Sequence, residues 1–222
     1  YYENVTDTHP DQFIELHFLK ELLPGYFWIF PMNDGRVNVG VGMLSSYVSK
    51  RKINLRKSLE QIIQHHPEIS KRFINATALT PVQGWGLPLG SAKRKIFGDN
   101  FLLAGDAGSL IDPFTGEGIG NALVSGRIAG ETIVEAINAA RFDEAFLSVY
   151  QKKVFAQLSS EINLSHKMQK LARYESLFNF VVNKANKNQT LKETITCMFE
   201  DLDIRAKLKQ PSFYFKLLFN SK

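Results

Sequence analysis

The feature that most constrains the fold of this chain is a glycine-rich loop between a short apolar run and a long helix-forming segment. Residues 100–104 predict a strand buried on both faces, which delivers Gly105 and Asp106 at its carboxyl end. Open α/β sheets bind their ligands at that end of their strands. The loop at residues 113–120 then supplies backbone N–H groups where a helix begins, and such a helix end favours negative charge. The segment therefore predicts a ligand site that combines a carboxylate with an anion-binding helix end.

The same segment resembles a cofactor-binding motif. Its order of Gly-Asp, a proline and three glycines entering a helix is similar to the second flavin-binding motif of FAD-dependent oxidoreductases related to p-hydroxybenzoate hydroxylase. The resemblance implies that Asp106 contacts the ribityl or diphosphate region of FAD, and that the backbone of residues 116–119 lies against the isoalloxazine edge. It assigns to the cofactor Gly105, Asp106, Pro113, Gly116, Glu117, Gly118 and Ile119. A strand-loop-helix without a cofactor is the alternative.

A second pattern predicts an antiparallel hairpin near the amino end. Residues 26–30 and 36–44 form two strand candidates, joined at Asn33-Asp34-Gly35, where Asn and Gly tolerate the positive φ of a tight turn. Alternate residues of a strand share one face. The aromatic residues that share a face here are Tyr26, Trp28 and Phe30. Ordinary sheet core is the alternative for each of them.

The hairpin resembles the substrate-cavity signature of geranylgeranyl reductases. Residues 25–31, GYFWIFP, followed by Gly40-Val41-Gly42, are similar to the aromatic strand and paired glycines of that family. The resemblance implies an FAD-dependent oxidoreductase in which reduced flavin gives hydride to C=C bonds of an isoprenoid chain. It assigns to the substrate Tyr26, Trp28, Phe30, Pro31, Gly40 and Gly42. No catalytic acid is assigned, and for Glu117 a backbone role is favoured over acid catalysis.

One part of the family pattern is missing from these 222 residues. The enzymes that the chain resembles begin with a strand-GxGxxG-helix fingerprint for the FAD pyrophosphate. The chain also starts at Tyr1 instead of Met. We therefore expect it to be the C-terminal part of a longer protein, inactive by itself and poor at holding FAD.

The expected fold class is α+β, in three parts. Residues 1–97 are predicted to form an antiparallel-sheet substrate domain with helices. Residues 98–139 are predicted to be the C-terminal part of a Rossmann-like FAD-binding domain, and residues 140–222 a helical C-terminal region. In the helix after Gly118, Gly126 and Gly130 are expected to let one broad apolar face approach a neighbour closely.

Composition excludes several other classes of protein. The 27 Lys and Arg against 22 Asp and Glu give a net charge of +5, and the basic residues are scattered, so no nucleic-acid partner is predicted. The single cysteine, Cys197, favours a reducing compartment. His65 and His66 are adjacent at a helix end and point apart, so no metal site is predicted. The predicted location is the cytoplasm, with association to a membrane surface left open.

The predicted partners follow from the resemblance. They are an isoprenoid or prenyl-lipid substrate and an electron donor, either NAD(P)H or a ferredoxin-like protein. One alternative is a flavin monooxygenase or halogenase of the same superfold, because fold does not fix function. Another is a non-catalytic module that binds lipid or a membrane surface, suggested by the aromatic tail at residues 213–219.

Overall fold

The computed structural model describes residues 1–187 and divides the chain into two compact units. Unit 1 spans Tyr1–Gly86, and unit 2 begins at Leu87. Helices occur together with antiparallel strands, which confirms the predicted α+β class. Cys197 and the tail at residues 213–219, both in the predicted helical region, lie outside the described residues. The boundaries at residues 97 and 139 stay predictions.

Both units mix short strands with helices. In unit 1 these are β1 (Tyr2–Glu3), β2 (Glu15–His17), β3 (Tyr26–Pro31), β4 (Val37–Gly42), α1 (Ser45–Arg51), α2 (Leu55–His65), α3 (Ile69–Arg72) and β5 (Thr77–Ala78). The described part of unit 2 contains β6 (Phe97–Gly98), β7 (Phe101–Leu102), a 3₁₀ helix (Gly105–Gly108), α4 (Ile119–Ala139), α5 (Glu144–Leu171) and α6 (Glu175–Lys187).

The hairpin predicted from the Asn-Asp-Gly turn is present in unit 1. β3 and β4 pair antiparallel with Trp28 opposite Gly40, in a sheet whose strand order is β2-β3-β4-β1-β5. Gly35 has a φ of +80°, a left-handed conformation that glycine adopts without steric cost. The backbone N–H of Arg36 donates to the Asp34 carboxylate at 3.1 Å and closes the turn.

One face of this sheet carries the hydrophobic core of unit 1. Phe27 and Ile29 of β3 point to that face and are fully buried. α2 begins after Asn54, whose side chain accepts a hydrogen bond from the Lys57 N–H, and it packs against β4. The core consists of Leu22, Phe27, Ile29, Val37, Leu59, Ile62, Ile69 and Phe73. The residues of β3 that alternate with these two, Tyr26, Trp28 and Phe30, lie on the opposite face of the sheet.

An ion pair ties the amino-terminal segment to the sheet. Arg72, the last residue of α3, donates to both carboxylate oxygens of Glu15, at 2.6 and 2.7 Å. The same guanidinium donates to the backbone carbonyls of Thr6 and Asp7. His17 lies beside Glu15, with 3.1 Å between Nε2 and Oε2. Because a bidentate Arg-carboxylate pair fixes both partners, it joins α3 to β2. The bonds to the two backbone carbonyls join α3 to the loop between β1 and β2.

The core of unit 2 lies between α4, α5 and the β6-β7 pair. Tyr150 of α5 is fully buried, and its hydroxyl donates to the carbonyl of Leu103 at 2.8 Å. Burial raises the pKa of Tyr150. The core consists of Ile96, Phe97, Leu110, Ile128, Tyr150, Val154, Leu158 and Ile162. The segment that leads to Gly105 is therefore anchored on α5.

The prediction of a strand buried on both faces at residues 100–104 is wrong. β7 covers only Phe101–Leu102 and pairs with β6, and the Phe101 side chain is 48% exposed. A Cβ built at Gly98 would lie 2.3 Å from Cε1 of Phe101, so the phenyl ring covers that glycine. In the described part of unit 2, the apolar run therefore has one neighbouring strand, β6.

The prediction that Gly126 and Gly130 let one face of α4 approach a neighbour closely is wrong within the described residues. Leu123 is 70% exposed, and a Cβ built at Gly126 or Gly130 would meet no described atom within 4 Å. The buried residues of α4 are Ser125, Ile128, Thr132 and Ala136. Ser125 and Thr132 tolerate burial because their hydroxyls donate to backbone carbonyls one turn earlier. α4 therefore packs against α5 with the face that carries these four residues, and its more apolar face is exposed in the described part of the chain.

Candidate functional site

β3 presents three aromatic side chains on the face opposite the core of unit 1. Tyr26, Trp28 and Phe30 are half-buried and alternate with the fully buried Phe27 and Ile29. The ring centroids of Tyr26 and Trp28 lie 6.1 Å apart, and those of Trp28 and Phe30 lie 6.0 Å apart. Rings at these separations are in contact. We call the three residues the aromatic row.

Glycines on the neighbouring strand make room for the middle ring of the aromatic row. Gly40 lies opposite Trp28, and a Cβ built at Gly40 would lie 2.1 Å from Cζ2 of the indole. Gly42 lies opposite Tyr26, and a Cβ there would lie 3.5 Å from Cζ3 of Trp28. The indole therefore lies over the backbone of β4, and a methyl group at Gly40 would displace it.

Leu16 of β2 and Phe18, the residue after β2, extend the apolar surface of the aromatic row. Leu16 pairs with Trp28, and the ring of Phe18 lies 5.9 Å from that of Tyr26. The indole N–H of Trp28 donates to the Asn38 side-chain carbonyl at 2.7 Å, so its polar group is already paired. An extended apolar surface whose N–H group is already satisfied suits a long hydrocarbon chain, since burial supplies the affinity.

Pro31, the last residue assigned to the substrate, ends β3. It lies opposite Val37 at the end of the hairpin and is half-buried. All six residues assigned to the substrate thus belong to β3 or β4 of unit 1.

The residues assigned to the cofactor all belong to unit 2 and begin at the 3₁₀ helix. Gly105 has a φ of +54°, and its N–H donates to the buried Ser125 hydroxyl at 3.0 Å. A Cβ built at Gly105 would lie 2.9 Å from Cβ of Ala122 on α4. Glycine is therefore required at this position for its conformation and for its close approach to α4.

Asp106 is exposed and lies beside the start of α4. Its carboxylate oxygen Oδ1 would be 3.3 Å from a Cβ built at Gly118, the residue that precedes α4. The carboxylate of Asp106 and the amino end of α4 are thus neighbours within unit 2. An exposed carboxylate can accept hydrogen bonds from hydroxyl groups of a ligand.

A buried carboxylate organises the glycine loop, by which we mean residues 112–118. Asp112 is 3% exposed, and its Oδ1 accepts hydrogen bonds from the backbone N–H groups of Phe114 and Thr115 at 2.8 and 2.9 Å. Its own N–H donates to the carbonyl of Glu117 at 2.7 Å, and its carbonyl accepts from the N–H of Gly116 at 3.0 Å. Asp112 therefore bonds to both arms of the loop.

Two side chains of α5 hold the same part of the glycine loop. The Ser165 hydroxyl donates to Oδ2 of Asp112 at 2.5 Å, and the Gln169 side-chain amide donates to the carbonyl of Pro113. Both α5 residues are 5% exposed. From the other side, the Asn121 amide of α4 donates to the carbonyl of Leu110 at 2.7 Å. Side chains of α5 therefore hold the glycine loop, and Asn121 of α4 holds the segment just before it.

The amino end of α4 follows directly from the loop. Gly118 precedes the helix, and no side chain in the described part of the chain caps it. The N–H groups of Gly116 and Glu117 are already used, by the Asp112 carbonyl and by the Thr115 hydroxyl. The first N–H groups of a helix have no intrahelical acceptor. The amides available to a ligand are therefore those at the start of α4, where Ile119 is largely exposed.

Sequence reasoning missed Asp112, Ser165 and Gln169. An Asp followed by Pro and, three residues on, by Thr is a known turn and capping pattern, so Asp112 could have been found. No local signal distinguishes Ser165 or Gln169, which are 53 and 56 residues from their partners in the loop.

Other candidate sites in the described residues are modest. Nδ1 of His66 accepts from the N–H groups of Glu68 and Ile69, both at 3.3 Å, so this side chain stabilises the start of α3. Within residues 1–187, no three His, Cys, Asp or Glu side chains come together in a way that could hold a metal ion. None of the helices in that range is both long and apolar enough to cross a membrane.

Comparison with known proteins gives consistent results. Residues 2–80 match the geranylgeranyl reductase catalytic domain. The chain is 36% identical over 155 residues to digeranylgeranylglycerophospholipid reductase 1 of Methanopyrus kandleri, covering 68% of this chain and 39% of that protein. It is 31% identical over 214 residues to the digeranylgeranylglycerophospholipid reductase of Methanococcus vannielii, covering 92% of this chain and 50% of that protein. The chain thus spans half or less of the length of these relatives.

Solved structures show a similar fold. A geranylgeranyl bacteriochlorophyll reductase-like protein from Thermoplasma acidophilum superposes with a TM-score of 0.68 at 25% identity, covering 93% of this chain and 49% of that one. A triple mutant of a flavin-dependent brominase superposes with a TM-score of 0.63 at 18% identity, covering 97% of this chain and 53% of that one. The second similarity establishes the fold alone.

Proposed function

The chain belongs to the geranylgeranyl reductase family, and from that premise we propose that it takes part in the FAD-dependent reduction of C=C bonds in a geranylgeranyl-type prenyl lipid. The observation that carries the proposal is the aromatic row, with Trp28 lying over Gly40. Relatives named for digeranylgeranylglycerophospholipid reduction support this class of substrate. The cytoplasm is the proposed location, with contact to the membrane that holds the lipid.

The proposed cofactor is FAD, and the residues of unit 2 fit a flavin. The exposed carboxylate of Asp106 suits the ribityl or ribose hydroxyls, and the uncapped amino end of α4 suits the electron-rich edge of a flavin ring. When bound, FAD supplies the hydride-transfer chemistry. The protein's part is to orient the ring by the backbone at the start of α4 and to stabilise negative charge there.

The aromatic row is proposed to hold the prenyl chain. Its three rings and Leu16 give an apolar strip, and Asn38 occupies the polar atom of Trp28. Fixed rings bind a flexible chain with little loss of their own conformational freedom. The row therefore acts in binding and in excluding water, with no proton transfer assigned to it.

The proposed reaction balances with one external reductant. Reduced FAD, when bound, would supply hydride to one carbon of the double bond, and the other carbon would take a proton that originates from solvent, since no protein acid is assigned. One hydride from NAD(P)H, or two one-electron transfers from a ferredoxin-like protein together with a proton, would then restore the reduced cofactor. Glu117 is exposed, its N–H donates to the Thr115 hydroxyl and its carbonyl accepts from the Asp112 N–H, so its backbone holds the loop together.

The test is an anaerobic incubation of the full-length, FAD-loaded protein with digeranylgeranyl glycerophospholipid and a chemical reductant. The expected result is a lipid mass that rises by two hydrogens for each bond reduced. Bound flavin with unchanged lipid would leave the cofactor assignment and refute the substrate. In a parallel aerobic incubation with NAD(P)H, oxygen-dependent consumption of NAD(P)H with unchanged lipid would favour a monooxygenase or halogenase. Salt-sensitive binding to anionic vesicles without flavin would favour a lipid-binding module.

A further inference from the structure

The glycine loop is held by α5 through two side chains one helical turn apart. Ser165 bonds to the carboxylate of Asp112, and Gln169 bonds to the carbonyl of Pro113. These bonds are buried, so water competes with them poorly. A serine and a glutamine at adjacent turns of one face thus fix two consecutive residues of a loop more than fifty positions earlier in the chain.

Asp112 links that anchorage to the start of α4. Its carboxylate accepts from Ser165 on one oxygen and from the N–H groups of Phe114 and Thr115 on the other. Its backbone closes the loop through Glu117 and Gly116. Gly118 and α4 follow immediately. A shift of Asp112 would therefore move the amides at the amino end of α4.

We propose that Ser165 and Gln169 are positioning residues that act through Asp112 and Pro113 to set where the amino end of α4 meets the flavin. This inference rests on the proposed function. Reduced flavin carries more negative charge at its ring edge than oxidised flavin does. Because a helix end favours negative charge only at close range, its placement affects the affinity for reduced flavin more than the affinity for oxidised flavin.

The chain supplies a matched control on the same helix. Ser159 of α5 is half-buried, and its hydroxyl finds no hydrogen-bond partner among the residues that the structure describes. Ser159→Ala therefore makes the same chemical change as Ser165→Ala without removing a bond to the loop. Ser165→Thr retains a hydroxyl and serves as the rescue variant.

The experiment measures the dissociation constants of oxidised and reduced FAD in the full-length holoenzyme and in its variants. We expect Ser165→Ala and Gln169→Ala to weaken binding of reduced FAD about tenfold more than binding of oxidised FAD. For a two-electron couple, that ratio lowers the reduction potential by about 30 mV. Ser159→Ala should match the wild type, and Ser165→Thr should restore most of the ratio.

Hydrogen exchange in the same proteins gives a readout that does not depend on activity. Ser165→Ala should speed exchange of the Phe114 and Thr115 amides, which bond to Asp112, and Ser159→Ala should not. If Ser165→Ala fails to fold, Gln169→Ala carries the test, since it removes one hydrogen bond to a backbone carbonyl.

Several results would overturn the inference. A lower melting temperature with an unchanged ratio of the two dissociation constants would reduce Ser165 to a structural role. An equal shift in Ser159→Ala would show that any loss of a hydroxyl on α5 has the effect. Wild-type holoenzyme that binds FAD while all variants behave alike refutes the positioning role and leaves the proposed function standing. A wild type that binds no FAD refutes both.

Discussion

The aromatic row and the glycine loop are built in opposite ways. The row is made of side chains displayed over glycines on the adjacent strand, with Trp28 and Gly40 only twelve positions apart. The loop presents backbone amides, and the side chains that fix it are buried and distant, as Ser165 is from Asp112. A surface for an apolar chain can be built locally, whereas an array of amides needs outside support, because backbone alone does not fix its own position in a loop.

The largest expected effect is at Gly25, the residue before the first ring of the aromatic row. A Cβ at Gly25 would lie 1.9 Å from the carbonyl oxygen of Gly42, a clash with backbone that no rotamer change relieves. Gly25→Ala should therefore lower the free energy of unfolding by about 3 kcal/mol or more. Urea denaturation measures it. Gly84→Ala is the control, since a Cβ at Gly84 would meet nothing described within 4 Å, and an equal loss there would contradict the explanation.

The next effect tests the polar support of the loop. Asp112→Ala removes a buried carboxylate that accepts from two backbone N–H groups and from Ser165, so we expect a loss of about 2 to 3 kcal/mol. Asp143→Ala removes an exposed carboxylate that caps α5, and it should lower the free energy of unfolding less than Asp112→Ala does. Urea denaturation of both variants gives the comparison. Equal losses would mean that burial adds nothing to the role of Asp112.

A third effect separates binding of the lipid from binding of the flavin. Trp28→Ala removes the middle ring of the aromatic row, so the KM for the prenyl lipid should rise about tenfold while the dissociation constant of FAD stays unchanged. Steady-state kinetics and flavin titration measure the two constants. Trp85→Ala is the matched control, because that side chain is 88% exposed. A similar rise in KM for Trp85→Ala would remove the special role of the row.

The smallest effect concerns the face of β2 opposite Leu16. Burial lowers the pKa of His17. Burial also acts to raise the pKa of Glu15, but hydrogen bonds and the charge of Arg72 outweigh it and leave that pKa below its usual range. Both groups bind fewer protons in the folded than in the unfolded protein. Lowering the pH therefore lowers the free energy of unfolding, below about pH 6.5 for His17 and below about pH 4.3 for Glu15.

Urea denaturation at several pH values tests this effect. The whole change should stay below about 1 kcal/mol, because both side chains are partly solvated. Glu15→Gln should remove the acidic part of the slope and steepen the part due to His17, because the Glu15 carboxylate partly offsets the lowering of the His17 pKa by burial. Stability that rises as the pH falls from neutral would have the wrong sign for both groups.

The hairpin could be predicted from sequence because its information is local. The Asn-Asp-Gly turn and the alternation from Tyr26 to Phe30 set both register and face, and both are observed. The glycines at positions 40 and 42 matched a family pattern, but their reason emerged only from the register that puts Trp28 over Gly40.

Unit 2 was harder to predict because its packing depends on distant partners. The apolar residues of α4 suggested one packing face, yet α5 covers Ser125 and Thr132, whose hydroxyls bond to their own helix. Phe101 was expected in a strand buried on both faces, and it is half-exposed over Gly98. Hydrophobic periodicity shows where apolar residues recur along a helix or strand. It carries no information about which element packs there or which polar groups are hydrogen-bonded locally.

The division of labour between the aromatic row and the glycine loop is tested most directly by single-turnover oxidation of the reduced holoenzyme by prenyl lipid without oxygen. In Trp28→Ala, the lipid concentration for half-maximal rate should rise about tenfold with an unchanged flavin reduction potential. In Ser165→Ala, the potential should fall while that lipid concentration stays the same. If both variants changed the same quantity, or if reduced flavin did not react with the lipid at all, the assignment of separate roles would be contradicted.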